Sequence, residues 1–86
     1  MKLSTLTPEK ATALDLERAV VEALPGARVE VATAQPGHFR LTVTSADFAG
    51  KNPLARQRLV YKAIAPLMKG PSAPVHAIDE LKTLEP

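Results

Sequence analysis

The chain contains no cysteine, so it forms no disulfide, offers no thiolate to a metal ion, and carries no thiol-based sign of its redox compartment. Tryptophan is absent too, and Phe39, Phe48 and Tyr61 are the whole aromatic content. That excludes a row of rings on which single-stranded bases would stack, and the core has to be built from Leu, Val, Ile and Ala. No window is long and apolar enough to span a membrane. Residues Met1 to Leu6 run almost at once into a proline-led polar segment, leaving no room for the apolar core of a signal peptide, so the cytoplasm is the expected location.

Acid is missing locally. Between Asp47 and Asp79 there is no Asp or Glu, and Lys51, Arg56, Arg58, Lys62 and Lys69 give that stretch +5 in a chain whose net charge is +2. Such a run is either a solvated helix face or a surface for phosphates or an acidic partner.

What remains is ordinary globular material. The 86 residues are 45% hydrophobic and 23% charged, enough for one domain spanning 1–86 and too little for a second core. Thr7-Pro8-Glu9 has the form of a helix start, and Ala13, Leu16, Val20, Ala23 and Leu24 follow at spacings of three and four until Pro25-Gly26. The pattern predicts a helix over 7–24. Alternation predicts strands over 27–33 and 38–45, paired as a hairpin whose break at Ala34-Gln35-Pro36-Gly37 is longer than the tightest turns.

A short turn or helix leads to Asn52-Pro53, a second capped start, and a helix over 53–68. Leu54, Val60, Tyr61, Ile64 and Leu67 form its apolar positions, and Pro66 is expected to kink it or end it early. Phe39, Phe48, Val60 and Tyr61 read as core or core-edge residues. After the rigid Gly70-Pro71-Ser72-Ala73-Pro74 loop, 75–83 reads as a last strand. A helical crossover between the second and third strands makes them parallel neighbours, so the expected fold is α+β: a three-stranded mixed sheet with helices on one face.

Catalysis is not expected: the chain has no nucleophile beside a base, no phosphate loop and no suitably spaced pair of carboxylates. Its two histidines, His38 and His76, stand near the beginnings of the second and third strands, at one end of the sheet. From the residues alone, each is either a solvent-facing strand histidine or a metal ligand.

An ordered set of segments narrows this choice. Gly37-His38-Phe39-Arg40-Leu41-Thr42-Val43-Thr44-Ser45, then Phe48-Ala49-Gly50-Lys51, Arg56-Gln57-Arg58-Leu59-Val60-Tyr61, Val75-His76-Ala77 and Lys82-Thr83-Leu84-Glu85-Pro86 resemble the successive landmarks of the BolA family. The resemblance covers roughly residues 37 to 86 and implies a type II KH-like fold. It further implies partnership with a monothiol glutaredoxin through a shared [2Fe-2S] cluster with glutathione, in cluster trafficking or iron sensing. On that resemblance His76 is a cluster ligand, His38 stands near the family's second ligand position, and Arg56, Arg58 and Lys51 lie at a partner or anion surface. Because [2Fe-2S] centres need four ligands, mostly thiolates, the sulfur donors must come from the glutaredoxin and glutathione. The isolated protein is then expected to hold no cluster.

This chain departs from the family pattern in three places. Gln57 stands where the family often has a histidine, the 70–74 loop is longer and stiffer than the usual link, and no Gly-x-x-Gly loop of the nucleotide-binding KH type is present. Two other readings stay open. One is a DNA-binding transcriptional regulator, for which the family has been linked to transcriptional control and stress response; the other is a glutaredoxin-binding module that works without a cluster. The sequence leaves the free protein as a monomer or a weak dimer.

Overall fold

The structure is a computed structural model and describes residues 7–86; the expectation about a targeting segment at 1–6 lies outside the described residues. Its elements are α1 (Pro8–Ala23), β1 (Arg28–Gln35), β2 (His38–Thr44), a 3-10 turn (Ala46–Phe48), α2 (Pro53–Met68) and β3 (Ala77–Leu84). The three strands form one sheet in the order β1-β2-β3, with β1 antiparallel and β3 parallel to β2. The α+β class and the element order agree with the sequence reading.

Both helices begin as their capping residues dictate. The Thr7 side chain accepts from the Lys10 amide (3.2 Å) and the Asn52 side chain from the Ala55 amide (2.8 Å), each followed by a proline whose missing N–H costs nothing at a helix start. Leu16, Val20 and Leu24 of the first helical stretch meet Val60 and Ile64 of α2 over Phe39, Leu41 and Val43 of β2, with Phe48 and Val75 closing the core. The helices therefore cover one sheet face. Arg40, Thr42 and Thr44 lie on the opposite face, in step with the alternating burial along β2. Among the described residues, no helix is long and apolar enough to cross a membrane.

Four sequence expectations change. The hairpin loop is only two residues, Pro36-Gly37, because β1 continues to Gln35 and accommodates Ala34 as a bulge. Proline presets the first corner of the turn and Gly37 adopts φ +79° at the second, the combination a turn with a left-handed corner requires. The last strand starts at Ala77 rather than at residue 75. Val75 is instead buried, with its amide bonded to the Leu67 carbonyl (3.1 Å), so the segment before β3 is tied to α2 and not to the sheet ladder.

Tyr61 is 38% exposed and Leu54 55% exposed, so neither is a core residue. Tyr61 lies about 100° around the helix from Val60, outside the stripe formed by Val60, Ile64 and Leu67. Pro66 does not end α2 early: it sits in the final turn, where only one carbonyl near the end loses its helical partner.

Candidate functional site

The hairpin turn and the start of β3 meet at one end of the sheet. The Gly37 carbonyl accepts from two amides, those of His76 (2.8 Å) and Ala77 (3.1 Å), and this pins the residue before β3 to the tip of the β1-β2 turn. The His76 ring then lies against Gly37 itself: a Cβ on residue 37 would sit 2.8 Å from both Cγ and Nδ1 of the imidazole. His76 is thus not a strand residue. It stands just ahead of β3, with its neighbour Val75 anchored in the core and its own side chain exposed.

His38 is the first residue of β2, paired in register with Ala77. Its Nδ1 lies 3.0 Å from Oδ1 of Asp79, with both side chains about one-third exposed. The pairing follows from a bulge in β3. Phe39 faces Ile78 while Arg40 faces Glu80, so Asp79 is an extra residue in the ladder. An extra residue of this kind re-aims its side chain, and here the carboxylate meets His38. The fold therefore brings His38, His76, Gly37 and Asp79 to one end of the sheet. Sequence reasoning found the two histidines but not Asp79, because an alternating pattern gives no sign of where a parallel ladder slips by one residue.

The basic residues lie elsewhere. Arg56 is at the start of α2, and its Nε donates to the Lys51 carbonyl (2.8 Å) while a terminal nitrogen pairs with Oε2 of Glu85 (2.6 Å). Its guanidinium also lies 5.9 Å from the centre of the Phe48 ring. The Lys51 ammonium donates to the Asp47 carbonyl (2.8 Å). These contacts gather at the ends of β2 and β3, where the Ser45 amide also bonds the Leu84 carbonyl (3.0 Å). The seven residues of β2 separate that end from the histidines by about 20 Å. Arg56 and Lys51 thus share no site with His38 and His76, and the Arg56 donors are turned toward the fold. Arg58 is exposed on α2.

Arg56→Ala is expected to lower stability by about 1–2 kcal/mol in urea unfolding, since it removes two charge-assisted hydrogen bonds from a side chain only 18% exposed. Arg56→Lys is expected to recover little of this, because an ammonium cannot reproduce the guanidinium fork.

Among the described residues, neither histidine lines the larger hollows. One of about 450 Å³ lies at the far end, against Arg28, Thr44, Ser45 and Asp47. The hollow bordering Gly37, Thr12 and Pro74 holds only about 110 Å³, below the roughly 300 Å³ at which small-molecule pockets begin. Among the described residues, no group of three or more His, Cys, Asp or Glu is arranged to hold a metal ion. Among the described residues, the imidazoles at this end are those of His38 and His76, and His38 has one nitrogen engaged by the Asp79 carboxylate.

Fold and site together define a small α+β protein with a mixed three-stranded sheet and a pair of histidines at the hairpin end. The family model for BolA-like proteins matches residues 11–86. The chain belongs to the BolA family. It is similar to BolA-like protein 1 of Mus musculus, with 46% identity over 41 residues; the match spans 48% of this chain and 28% of that protein. Among solved structures, a BolA protein homologue from Coxiella burnetii superposes with a TM-score of 0.69 at 33% identity, covering 85% of this chain and 88% of the other. The solution structure of mouse BolA1 gives 0.67 at 25% identity, covering 100% of this chain and 72% of that one.

Proposed function

We propose that this BolA-family chain is an accessory protein of iron-sulfur cluster trafficking or iron sensing, acting with a monothiol glutaredoxin through a shared [2Fe-2S] cluster. The observation that carries the reading is the His76 ring held against Gly37 at the same sheet end as His38, in a chain without a single thiol. Imidazole is a competent iron donor in [2Fe-2S] centres, where two histidines replace two cysteines on one iron in Rieske proteins. An exposed imidazole at the same sheet end as a second histidine fits part of such a donor set and no more. The remaining ligands, all sulfur, are supplied by a glutaredoxin cysteine and glutathione.

The test is a reconstitution with a monothiol glutaredoxin, ferrous iron, sulfide and glutathione, followed by gel filtration with visible detection. A coloured heterocomplex that forms only when iron and glutathione are both present is the expected result. A complex of equal yield without iron would make this a cluster-independent binding module and overturn the proposal.

A second reading rests on α2, where Arg58 and Lys62 are exposed and Lys69 follows at the helix end, with no acid between Asp47 and Asp79. Such a face suits the backbone of duplex DNA. If those three bases contact phosphates, DNA affinity is expected to fall about 40-fold between 50 and 200 mM salt. An unmeasurable affinity at 50 mM salt removes this reading, and the cluster-bridged assembly is expected to follow iron and glutathione instead.

A further inference from the structure

We infer that Asp79 is a positioning residue for His38, a carboxylate that fixes the orientation and tautomer of the imidazole so that Nε2 is the nitrogen presented outward. The inference rests on the proposed function and adds to it a residue that the family-resembling segments do not contain.

Three observations carry it. Nδ1 of His38 lies 3.0 Å from Oδ1 of Asp79. An ionised carboxylate has no proton to give, so the imidazole must be the donor: Nδ1 carries the hydrogen, and the lone pair of the neutral ring is left on Nε2. The second observation is the ladder slip that produces the contact. Phe39 pairs with Ile78 and Arg40 with Glu80, so Asp79 is the one residue of β3 without a partner in β2 between Ala77 and Leu84. A regular ladder would give Arg40 the partner that follows Ile78, and the bulge is what frees Asp79 to turn toward His38.

The third is placement. His38 pairs with Ala77, the residue next to His76, and both the His76 and Ala77 amides hang on the Gly37 carbonyl, so the second histidine is anchored by the same turn.

A ring nitrogen bound to a carboxylate is the usual support for a ligating histidine, because the carboxylate fixes the tautomer and makes the opposite nitrogen a stronger donor. The pair fits that role without any third ligand from this chain. Asp79 touches neither cluster nor partner in this account; it acts through His38 alone. The same sheet face also carries Arg28, Glu30, Arg40, Glu80 and Lys82; Arg40 stands opposite Glu80 in register, Glu30 and Lys82 flank Thr42, and the only ion pair found for His38 among the described residues is the one with Asp79.

The experiment compares wild type with Asp79→Ala, and with His38→Ala and His76→Ala as references. Long-range ¹⁵N–¹H correlation spectra of the isolated, ¹⁵N-labelled protein near neutral pH read the tautomer of His38 directly. The wild type is expected to show the Nδ1–H form, and Asp79→Ala the Nε2–H form that free histidine favours. Asp79 is about one-third exposed, so the variant is expected to keep the wild-type amide spectrum away from β3.

In the reconstituted glutaredoxin complex, visible circular dichroism is expected to change in the same sense for Asp79→Ala and His38→Ala. Cluster loss to a chelator is expected to be on the order of 10-fold faster in Asp79→Ala.

An unchanged His38 tautomer in Asp79→Ala overturns the inference outright. A switched tautomer with a wild-type cluster spectrum and chelation rate also overturns it; if His76→Ala is altered in that experiment, the proposed function stands. If all three variants match wild type in the complex, the proposed function fails and the inference falls with it.

Discussion

Replacing His76 by alanine is expected to remove the visible circular dichroism signature of the glutaredoxin heterocomplex and leave a mixture of the free chain and glutaredoxin. On the proposed function the effect is large because one ligand of four would be lost from a centre that neither protein completes alone. Little else is expected to change. The His76 side chain is exposed, and what fixes the segment is its backbone: the amide bond to the Gly37 carbonyl at 2.8 Å and the burial of Val75 next to it. Thermal unfolding of the isolated variant is expected to stay within about 0.5 kcal/mol of wild type, the usual range for a surface substitution. A heterocomplex with an unchanged visible spectrum would show that His76 is not a ligand.

Gly37→Ala carries the second large effect, because it acts on stability and on the site together. Residue 37 adopts φ +79°, a conformation that costs an L-residue about 1–2 kcal/mol. Its new Cβ would also lie 2.8 Å from Cγ and Nδ1 of His76, so the ring has to move. A combined loss of about 1–3 kcal/mol is expected, seen as a fall in Tm of about 10 °C for a domain of this size.

Gly50 supplies the control. It has nearly the same backbone angle, φ +76°, but a Cβ there meets nothing within 4 Å. Gly50→Ala is expected to be destabilised through the backbone alone and to form the glutaredoxin complex with a wild-type spectrum. Gly37→Ala is expected to lose stability and to shift or weaken that spectrum. Equal behaviour of the two variants in the complex would mean that the position of the His76 ring does not matter.

Much of the fold was legible because the signals are local. Thr7-Pro8 and Asn52-Pro53 announce both helices through the same capping chemistry the structure displays, and α2 spans Pro53–Met68 as the pattern predicts. Phe39, Leu41 and Val43 alternate with polar residues because β2 is the central strand with one covered face.

The errors came where a distant contact decides. Val75 and His76 have the composition of a strand, but a carbonyl from α2 and another from the hairpin turn capture their amides before the ladder begins. Tyr61 falls near helical spacing, yet it lies a quarter-turn away from the stripe that faces the sheet.

The site shows the same division. Both histidines are legible, each in a family-like segment near a strand start, and parallel pairing is enough to put them at the same end. Their settings were not visible. The packing of His76 on Gly37 depends on how the turn meets the start of β3, and the Asp79 partner of His38 depends on a single slip in register. Arg56 looked like a surface cation because its partners, the Lys51 carbonyl and Glu85, are a backbone group and a residue 29 positions away.

The central claim is that this chain is half of a shared cluster site, and native mass spectrometry of the anaerobically reconstituted mixture weighs it directly. The account predicts a heterocomplex of this chain and the glutaredoxin whose mass includes glutathione, two iron and two sulfide ions, while the chain incubated alone with iron, sulfide and glutathione keeps its bare mass. A heterocomplex without iron and sulfide, or a cluster carried by the isolated chain, would contradict it.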